Sequence, residues 1–322
     1  MKIAVVIPCF KVKDKILPVL EKIPSAADKI YVVDDACPQK SGTFVKEHCK
    51  DPRVEVLFQA KNSGVGGATI AGFEAAYKNG FSIAVKIDGD GQMDPLLLPQ
   101  FVAPILSGQA DYTKGNRFYS PRALSSMPLL RLLGNAALSF LAKITNGYWQ
   151  VMDPTNGYIA IHTKLIPWLD GEKVSQRYFF ENDMLFRLGI LRAVVVDIPM
   201  KAHYADEKSG LSIYNTLITF PGKFLVRFFK RISYCYFIRD FNIASLFLVC
   251  GTLLVTFGNF VGSVYWKHSI SSGEFTSSGT VMLAALPIIL GAQFFLFALQ
   301  YDVLMQPKNP IHPQLPNFRA EP

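Results

Sequence analysis

The sequence predicts an α/β domain built on a mostly parallel sheet, followed by two helices long enough to cross a membrane. Three observations predict it. From Met1 to about Lys208, short β-branched runs alternate with amphipathic stretches, the pattern of strand–helix units whose sheet is covered on both faces. Beyond this region, Phe241 to Trp266 and Phe275 to Tyr301 contain no charged residue, and each exceeds the roughly 20 residues that a spanning helix needs. The chain is also 50% hydrophobic with a mean hydropathy of +0.23, high for a wholly soluble protein.

Taken in order, Ile3-Ala-Val-Val-Ile7, Lys29-Ile-Tyr-Val-Val33, Val54-Glu-Val-Leu-Phe58, Ile83-Ala-Val-Lys-Ile87 and Ala193-Val-Val-Val-Asp-Ile198 read as buried strands. Lys15 to Lys22, Thr43 to Cys49 and Thr69 to Asn79 read as helices between them. In such sheets ligands sit at the carboxyl ends of the strands. The polar positions fall there: Pro8-Cys-Phe after the first strand, Asp34-Asp35 after the second, Asn62-Ser-Gly-Val-Gly-Gly67 after the third and Asp88-Gly-Asp90 after the fourth.

The fourth position is the most informative. Residues i, i+2 and i+4 of an extended segment point the same way, so Asp88, Asp90 and Gln92 can aim three oxygens at one point. That set suits a hard cation, Mg²⁺ or Mn²⁺, with coordination positions left over for substrate phosphates. The plainer reading is a polar turn with solvated aspartates. Asp34 or Asp35 can cap a turn before Pro38 or accept hydrogen bonds from a base or ribose. Asn62 to Gly67 can be a flexible helix entry, or a loop whose glycines let backbone N–H groups approach a nucleotide.

Two helices carry a different signal. Over Pro128 to Thr145, Arg131, Asn135, Ser139 and Lys143 recur every four residues on an otherwise Leu, Ala and Phe surface. The stripe is either a solvent face or a polar edge turned toward the active site by a helix bedded at a membrane, where Arg131 grips a phosphate. Over Gly222 to Arg239, Lys223, Arg227, Lys230 and Arg231 share one face and Phe224, Leu225, Phe228, Phe229 and Ile232 the other. This predicts a basic amphipathic helix in the headgroup layer.

Composition excludes several classes. The net charge of +8 is explained by a membrane surface, since no helix-turn-helix, zinc finger or aromatic RNA-binding pattern is present and no nucleic acid is expected. The five cysteines form no C-x-x-C and the five histidines no H-E-x-x-H, so free thiols and no zinc site are expected. Ile3 to Phe10 is too short and lacks the cleavage pattern of a signal peptide. Lys223, Arg227, Lys230, Arg231 and Arg239 precede the first span, against Lys267, His268 and Glu274 between the spans. The large domain and the tail are therefore expected in the cytoplasm, at a bacterial inner membrane rather than the endoplasmic reticulum.

The succession Val6-Ile-Pro-Cys-Phe, Val32-Val-Asp-Asp35, Asn62-Ser-Gly-Val-Gly-Gly-Ala, Asp88-Gly-Asp-Gly-Gln-Met-Asp-Pro and Gly115-Asn-Arg-Phe118 resembles glycosyltransferase family 2. Within it, the chain looks most like the polyisoprenyl-phosphate glycosyltransferases bearing two C-terminal spans. The resemblance implies a GT-A fold, a nucleotide-sugar donor, a divalent metal and inverting transfer onto a polyprenyl phosphate. It implies donor contacts at Pro8, Asp34, Asp35, Asn62, Gly66 and Asp88. Metal and diphosphate would sit at Asp88, Asp90 and Gln92, and Arg117 would approach the phosphates. Lys208-Ser-Gly-Leu-Ser212 resembles a segment that leads into the membrane. The chain departs from the family at Lys11-Val12, where Asn-Glu is usual, and at Ile159, where an arginine is usual.

The expected organisation is a GT-A domain over 1–212, a juxtamembrane helix over 213–240, two spans over 241–305 and a tail over 306–322. A phosphate acceptor needs positioning at Asn135, Arg131 and Lys208 more than deprotonation, because its second pKa lies near 6. A hydroxyl acceptor needs a base, and Glu181 and Asp183 in Phe180-Glu-Asn-Asp-Met184 are the candidates, with a structural helix-capping role as the alternative. A processive polysaccharide synthase would carry Gln-x-x-Arg-Trp, which Gln176-Arg177-Tyr178 does not supply. A non-catalytic nucleotide-sugar-binding membrane module is opposed by intact Asp88, Asp90, Gln92 and Arg117. Self-association into a homo-oligomer is left open.

Overall fold

The computed structural model describes residues 1–119, 129–201 and 213–317. Seven strands form one sheet: β1 (Ile3–Cys9), β2 (Lys29–Asp34), β3 (Val54–Phe58), β4 (Ile83–Lys86), β5 (Tyr112–Asn116), β6 (Ile159–His162) and β7 (Val195–Pro199), in the spatial order β3-β2-β1-β4-β6-β5-β7. β1 pairs in parallel with β2 and β4, β2 with β3 and β5 with β7, and β6 alone runs antiparallel, between β4 and β5. Because β6 is reversed, β5 points the same way as β4. The carboxyl ends of β1, β2, β4 and β5 and the amino end of β6 therefore share one edge.

Side-chain alternation divides the core between the two faces. Ala4, Val6, Tyr31, Val33 and Ala84 pack with Phe73 and Ala76 of α3 (Gly64–Lys78) and with Met184 and Leu188 of a later helix, α6 (Phe180–Leu191). Val5, Ile7, Val32, Ile83 and Val85 pack with Ile16 and Leu20 of α1 (Ile16–Glu21) and with Phe101 and Ile105 of α4 (Leu98–Leu106). The remaining first-half helix, α2 (Ser41–His48), follows β2. Each fully buried aliphatic or aromatic side chain contributes about 1.5–3 kcal/mol, so the alternation holds the sheet register. Two strands, β5 and β6, lie outside those read from the sequence. β5 holds Lys114, Gly115 and Asn116, and β6 has four residues, so neither offers a β-branched run of useful length.

Past β5 come α5 (Leu129–Asn146) and, beyond β7, α7 (Ile213–Ser233), α8 (Ile243–Ser272) and α9 (Ser278–Leu304). α8 and α9 are long and apolar enough to cross a membrane, and only 22% and 11% of their most apolar windows are buried. An Asn242 capping box starts α8, and Gly273 ends it in the left-handed region at φ 71°.

The chain divides into two compact units, 1–228 with 307–322, and 229–306. The tail, which the sequence sets apart as 306–322, therefore belongs with the first unit. Its anchor is Asp111 at the start of β5. The carboxylate accepts from the backbone N–H groups of Ile311 (3.0 Å), His312 (2.8 Å) and Val194 (2.8 Å), and lies 2.8 Å from His312 Nδ1. The His312 ring stacks on His162 at 4.2 Å. Burial alone would lift the Asp111 carboxyl, but these hydrogen bonds hold it below the ordinary carboxylate range. A depressed carboxyl contributes stability above its unfolded pKa of about 3.9 and loses it as pH falls through the folded value, so the latch should open only below about pH 4. Asp111→Asn is expected to cost about 1–3 kcal/mol and to speed hydrogen exchange over residues 307–317, measured by mass spectrometry at neutral pH.

Candidate active site

At the shared edge, Asp34 and Asp35 are both committed to the chain itself. Asp34 is buried; its Oδ1 accepts from Cys37 N (2.8 Å) and its Oδ2 from Gly42 N (2.6 Å), tying β2 to the start of α2. Asp35 Oδ1 accepts from Ser63 N (2.7 Å) and Oγ (2.9 Å), and its Oδ2 from Gly64 N (2.8 Å), fixing the entry to α3. Asp34 thus caps the turn around Pro38, and Asp35 ties the entry of α3 to the end of β2. Asn62 lies beside them, donating from Nδ2 to the Asp35 carbonyl at 3.3 Å. Pro8 is half-buried within β1, opposite Val33.

Gly66 corrects an expectation. Its N–H donates to the Gln176 carbonyl at 2.8 Å, and a Cβ placed on it would lie 2.5 Å from the Ser175 carbonyl oxygen and 2.7 Å from Phe180. The glycine serves close packing of the 175–180 segment, and its amide is not offered to a phosphate.

The carboxylate motif also differs from its expected geometry. β4 ends at Lys86, and residues 88–94 form a turn with Gly91 at φ 78°, so Asp88, Asp90 and Gln92 do not follow one another along an extended strand. Glycine is required at that left-handed position. Gln92 N donates to Asp90 Oδ1 at 3.0 Å, and Asp94 caps the following short helix by accepting from Leu96 N at 3.0 Å. Burial lifts the Asp90 carboxyl, the charge of Asp88 lifts it further, and Lys86 and Lys15 offset this in part. Two half-buried carboxylates beside an amide oxygen form a hard-oxygen set that fits Mg²⁺ or Mn²⁺. No cluster of three His, Cys, Asp or Glu side chains able to hold a metal occurs among the described residues, so the fit depends on Gln92 as third donor.

Lys86 is the residue sequence reasoning passed over. It is fully buried, with Nζ 2.8 Å from Asp88 Oδ1, 3.2 Å from the Gly157 carbonyl oxygen and 3.5 Å from Glu181 Oε1. Burial opposes its charge, but Asp88 and Glu181 outweigh it and raise the ammonium above its ordinary range. Gly157 permits this approach, since a Cβ there would lie 2.5 Å from Lys86 Nζ. The available signal was a single charge in the otherwise apolar Ile83-Ala-Val-Lys-Ile87.

Arg117 follows β5 and is held by Asp153. Its Nε and one terminal nitrogen each lie 2.7 Å from the two carboxylate oxygens, and its backbone N–H donates to the same group at 3.1 Å. Asp153 is buried at φ 54°. Burial would lift its carboxyl, but the Arg117 fork and the nearby Lys114 charge keep it below the ordinary range. Lys114, also fully buried, donates to the carbonyls of Gly115 (3.1 Å), Met152 (3.0 Å) and Asp153. Arg117 therefore arrives at the edge in a set orientation, with its side chain 25% exposed.

Glu181 and Asp183 lie in the first turn of α6, yet that helix has no side-chain cap. The helix-capping alternative is therefore not met. Glu181 is buried against Lys86; burial raises its carboxyl and Lys86 opposes the shift. Asp183 is fully buried, accepting from Ser175 N (2.9 Å), Arg187 Nε (3.4 Å) and Arg227 Nε (2.6 Å). A carboxylate with three donors on it is a structural tie.

The stripe on α5 faces inward. Ser139 is buried, Asn135 and Lys143 are half-buried, and Lys143 donates to the Trp149 carbonyl at 2.7 Å, whereas Leu133, Phe140 and Leu141 are exposed. The solvent-face reading of that stripe is thereby removed. Arg131 sits in the first turn of α5, and its side chain, like all of Lys208, lies outside the described residues. The basic residues of α7 divide, with Lys223 exposed, Arg227 half-buried and Arg231 buried, and its apolar side is partly covered, with Phe224 buried and Phe228 and Ile232 half-buried. Arg227 pairs with Asp183, Lys223 lies 5.4 Å over the Phe179 ring, and Arg231 is buried against Asp302 at 2.7 Å. Lys230 stays exposed, and so do Leu225, Val226 and Phe229. α5 and α7 meet through one small cluster, Ala142, Phe179, Phe220 and Phe224.

Against this geometry, the profile of Glycosyl transferase family 2 matches residues 4–166, which span the Asp88 turn and the Arg117–Asp153 fork. The chain belongs to glycosyl transferase family 2. It is similar to the UDP-N-acetylglucosamine–dolichyl-phosphate N-acetylglucosaminyltransferase of Methanococcus voltae, 28% identical over 63% of this chain and 86% of that one. It is also similar to the undecaprenyl-phosphate mannosyltransferase of Micrococcus luteus, 29% identical over 62% and 83%. Among solved structures, glucosyl-3-phosphoglycerate synthase of Mycobacterium tuberculosis in complex with UDP superposes with a TM-score of 0.52 at 21% identity, over 70% of this chain and 79% of that one. The same synthase with Mn²⁺, UDP and phosphoglyceric acid gives 0.51 at 18% identity, over 71% and 78%. These likenesses give the GT-A fold, and the family makes the protein a glycosyltransferase.

Proposed function

We propose that this glycosyltransferase moves a sugar, with inversion, from a nucleotide-sugar donor to a polyprenyl phosphate at the cytoplasmic face of a membrane. The observation that carries the reading is the exposed apolar surface that α5 and α7 present. Leu133, Phe140 and Leu141 of α5 and Leu225, Val226 and Phe229 of α7 are exposed while Ser139 and Arg227 turn toward the domain, leaving a surface suited to lipid and costly in water. The relatives named for dolichyl-phosphate and undecaprenyl-phosphate transfer support the same acceptor class.

Asp88, Asp90 and Gln92 would hold Mg²⁺ or Mn²⁺, which when bound supplies positive charge to the departing diphosphate. Arg117, aimed by Asp153, adds a fixed cation to the same developing charge. A phosphate acceptor arrives largely dianionic at neutral pH and needs no base. The pairing of Glu181 with Lys86 and of Asp183 with Arg227 supports a phosphate acceptor over a hydroxyl one. The orientation rests on the cation bias before α8 and on the chain leaving the first unit at 228 and rejoining it at 307, which two crossings require.

The test is incubation of membranes holding the protein with a panel of nucleotide sugars, Mg²⁺ or Mn²⁺, and polyprenyl phosphate, followed by mass spectrometry of extracted lipids. A polyprenyl-phosphate sugar is expected with one donor. Transfer to glycan hydroxyls with no glycolipid would overturn the acceptor assignment.

A further inference from the structure

α8 carries two unlike faces. Toward α9 it is small: Gly251 and Gly258 are buried, and a Cβ on Gly258 would lie 2.6 Å from the Ala284 carbonyl oxygen. Roughly a third of a turn away, Thr252, Thr256, Asn259 and Ser263 are all exposed. Their spacing of four, three and four residues keeps them within roughly 60° of one another on a helix of about 100° per residue.

Back-bonding satisfies part of this stripe. Thr252 Oγ1 donates to the Leu248 carbonyl (2.7 Å), Thr256 Oγ1 to that of Thr252 (2.6 Å), and Asn259 Nδ2 to that of Val255 (2.8 Å). Asn259 makes no other hydrogen bond among the described residues. Near the middle of a 30-residue helix of hydropathy 1.9, its carbonyl oxygen and second amide proton would face hydrocarbon, where unmet polar groups are costly and side chains such as this turn toward another helix.

We propose that this stripe is the contact between two copies of the chain in the membrane. Hydroxyls and carboxamides are both donors and acceptors, so the stripe is complementary to itself, whereas acyl chains offer it nothing. All copies insert with one orientation. A two-fold axis along the membrane normal therefore sets Asn259 opposite Asn259 at equal depth, where each carboxamide can donate to the other. The four-three-four spacing is that of a packed helix pair. The face toward α9 is already filled, so the hairpin cannot cover the stripe itself. The proposal rests on α8 being a membrane span and not on the catalytic reading.

The full-length protein, reconstituted at low density in phosphatidylcholine vesicles, is expected to show two photobleaching steps. Asn259→Leu should weaken association roughly five- to thirty-fold, and Asn259→Gln should retain it, with helical content by circular dichroism unchanged in both. Asn259→Cys should cross-link into a doubled mass under mild oxidation, above the level given by the native cysteines. Phe257→Cys, exposed on another side of the helix, should not. A monomeric wild type, a dimer indifferent to Asn259→Leu, or equal cross-linking at both positions would each overturn the proposal. Release of the protein by alkaline washing of membranes overturns the span reading and this one with it, whereas absent glycolipid product bears on the catalytic reading alone.

Discussion

Asp90→Asn is expected to lower sugar transfer by about 10²–10³-fold, the usual loss when one preorganised electrostatic group is removed from a transition state, while leaving the fold as stable as before or slightly more so. The two effects separate for a physical reason. Asp90 is half-buried beside Asp88, and its carboxyl is pushed upward, so its negative charge is a cost to the folded chain that an isosteric amide removes. The same charge is what a divalent cation and a diphosphate would use. Turnover and Mn²⁺ binding, the latter by electron paramagnetic resonance without substrate, should fall together, and the denaturation midpoint should hold or rise. Unchanged Mn²⁺ binding with unchanged turnover would remove Asp90 from the site.

Lys86→Met should act on both quantities. Removing one partner from a buried ionic group costs about 3–5 kcal/mol, because the charges left behind are uncompensated. Here Asp88 and Glu181 would be left facing the vacated ammonium position, at 2.8 and 3.5 Å from where Nζ stood. Denaturant unfolding of the detergent-solubilised protein should show the loss. Adding Glu181→Gln to Lys86→Met should restore part of the stability, since one stranded charge is then gone, without restoring transfer. Additive losses in the double variant would show that Lys86 and Glu181 act independently.

Legibility differed from residue to residue. The strands β1, β2 and β4 could be read because each places apolar side chains on both faces of a covered sheet, and the edge strand β3 because Val54, Val56 and Leu57 flank only one charge, Glu55. The end of β4 could not be placed: Ile87 continues the apolar run, but the backbone leaves the sheet at Lys86 and turns through Gly91. Asp34, Asp35, Asp88 and Asp90 were all visible as carboxylates at strand ends. That the first two spend their oxygens on Cys37, Gly42, Ser63 and Gly64 depends on where the α2 and α3 entries fold, which spacing does not state. The Arg117–Asp153 fork joins residues 36 positions apart, beyond the reach of any local pattern.

The amphipathic helices show the same limit most clearly. Periodicity located α5 and α7 and divided each into a polar and an apolar face, because 3.6 residues per turn is a local property of the chain. It could not say which face points inward, since that choice belongs to the partner. Asp183 draws Arg227 in and Phe179 takes Phe220 and Phe224, while Leu133, Phe140, Leu225 and Phe229 are left outside. By itself the sequence determined the α/β class, the order of the motifs and the two long apolar helices, all of which follow from short-range pattern. The tertiary structure alone decided which charges are buried in pairs and which surfaces face outward, because pairing energies arise only when residues distant in sequence are brought within a few ångströms.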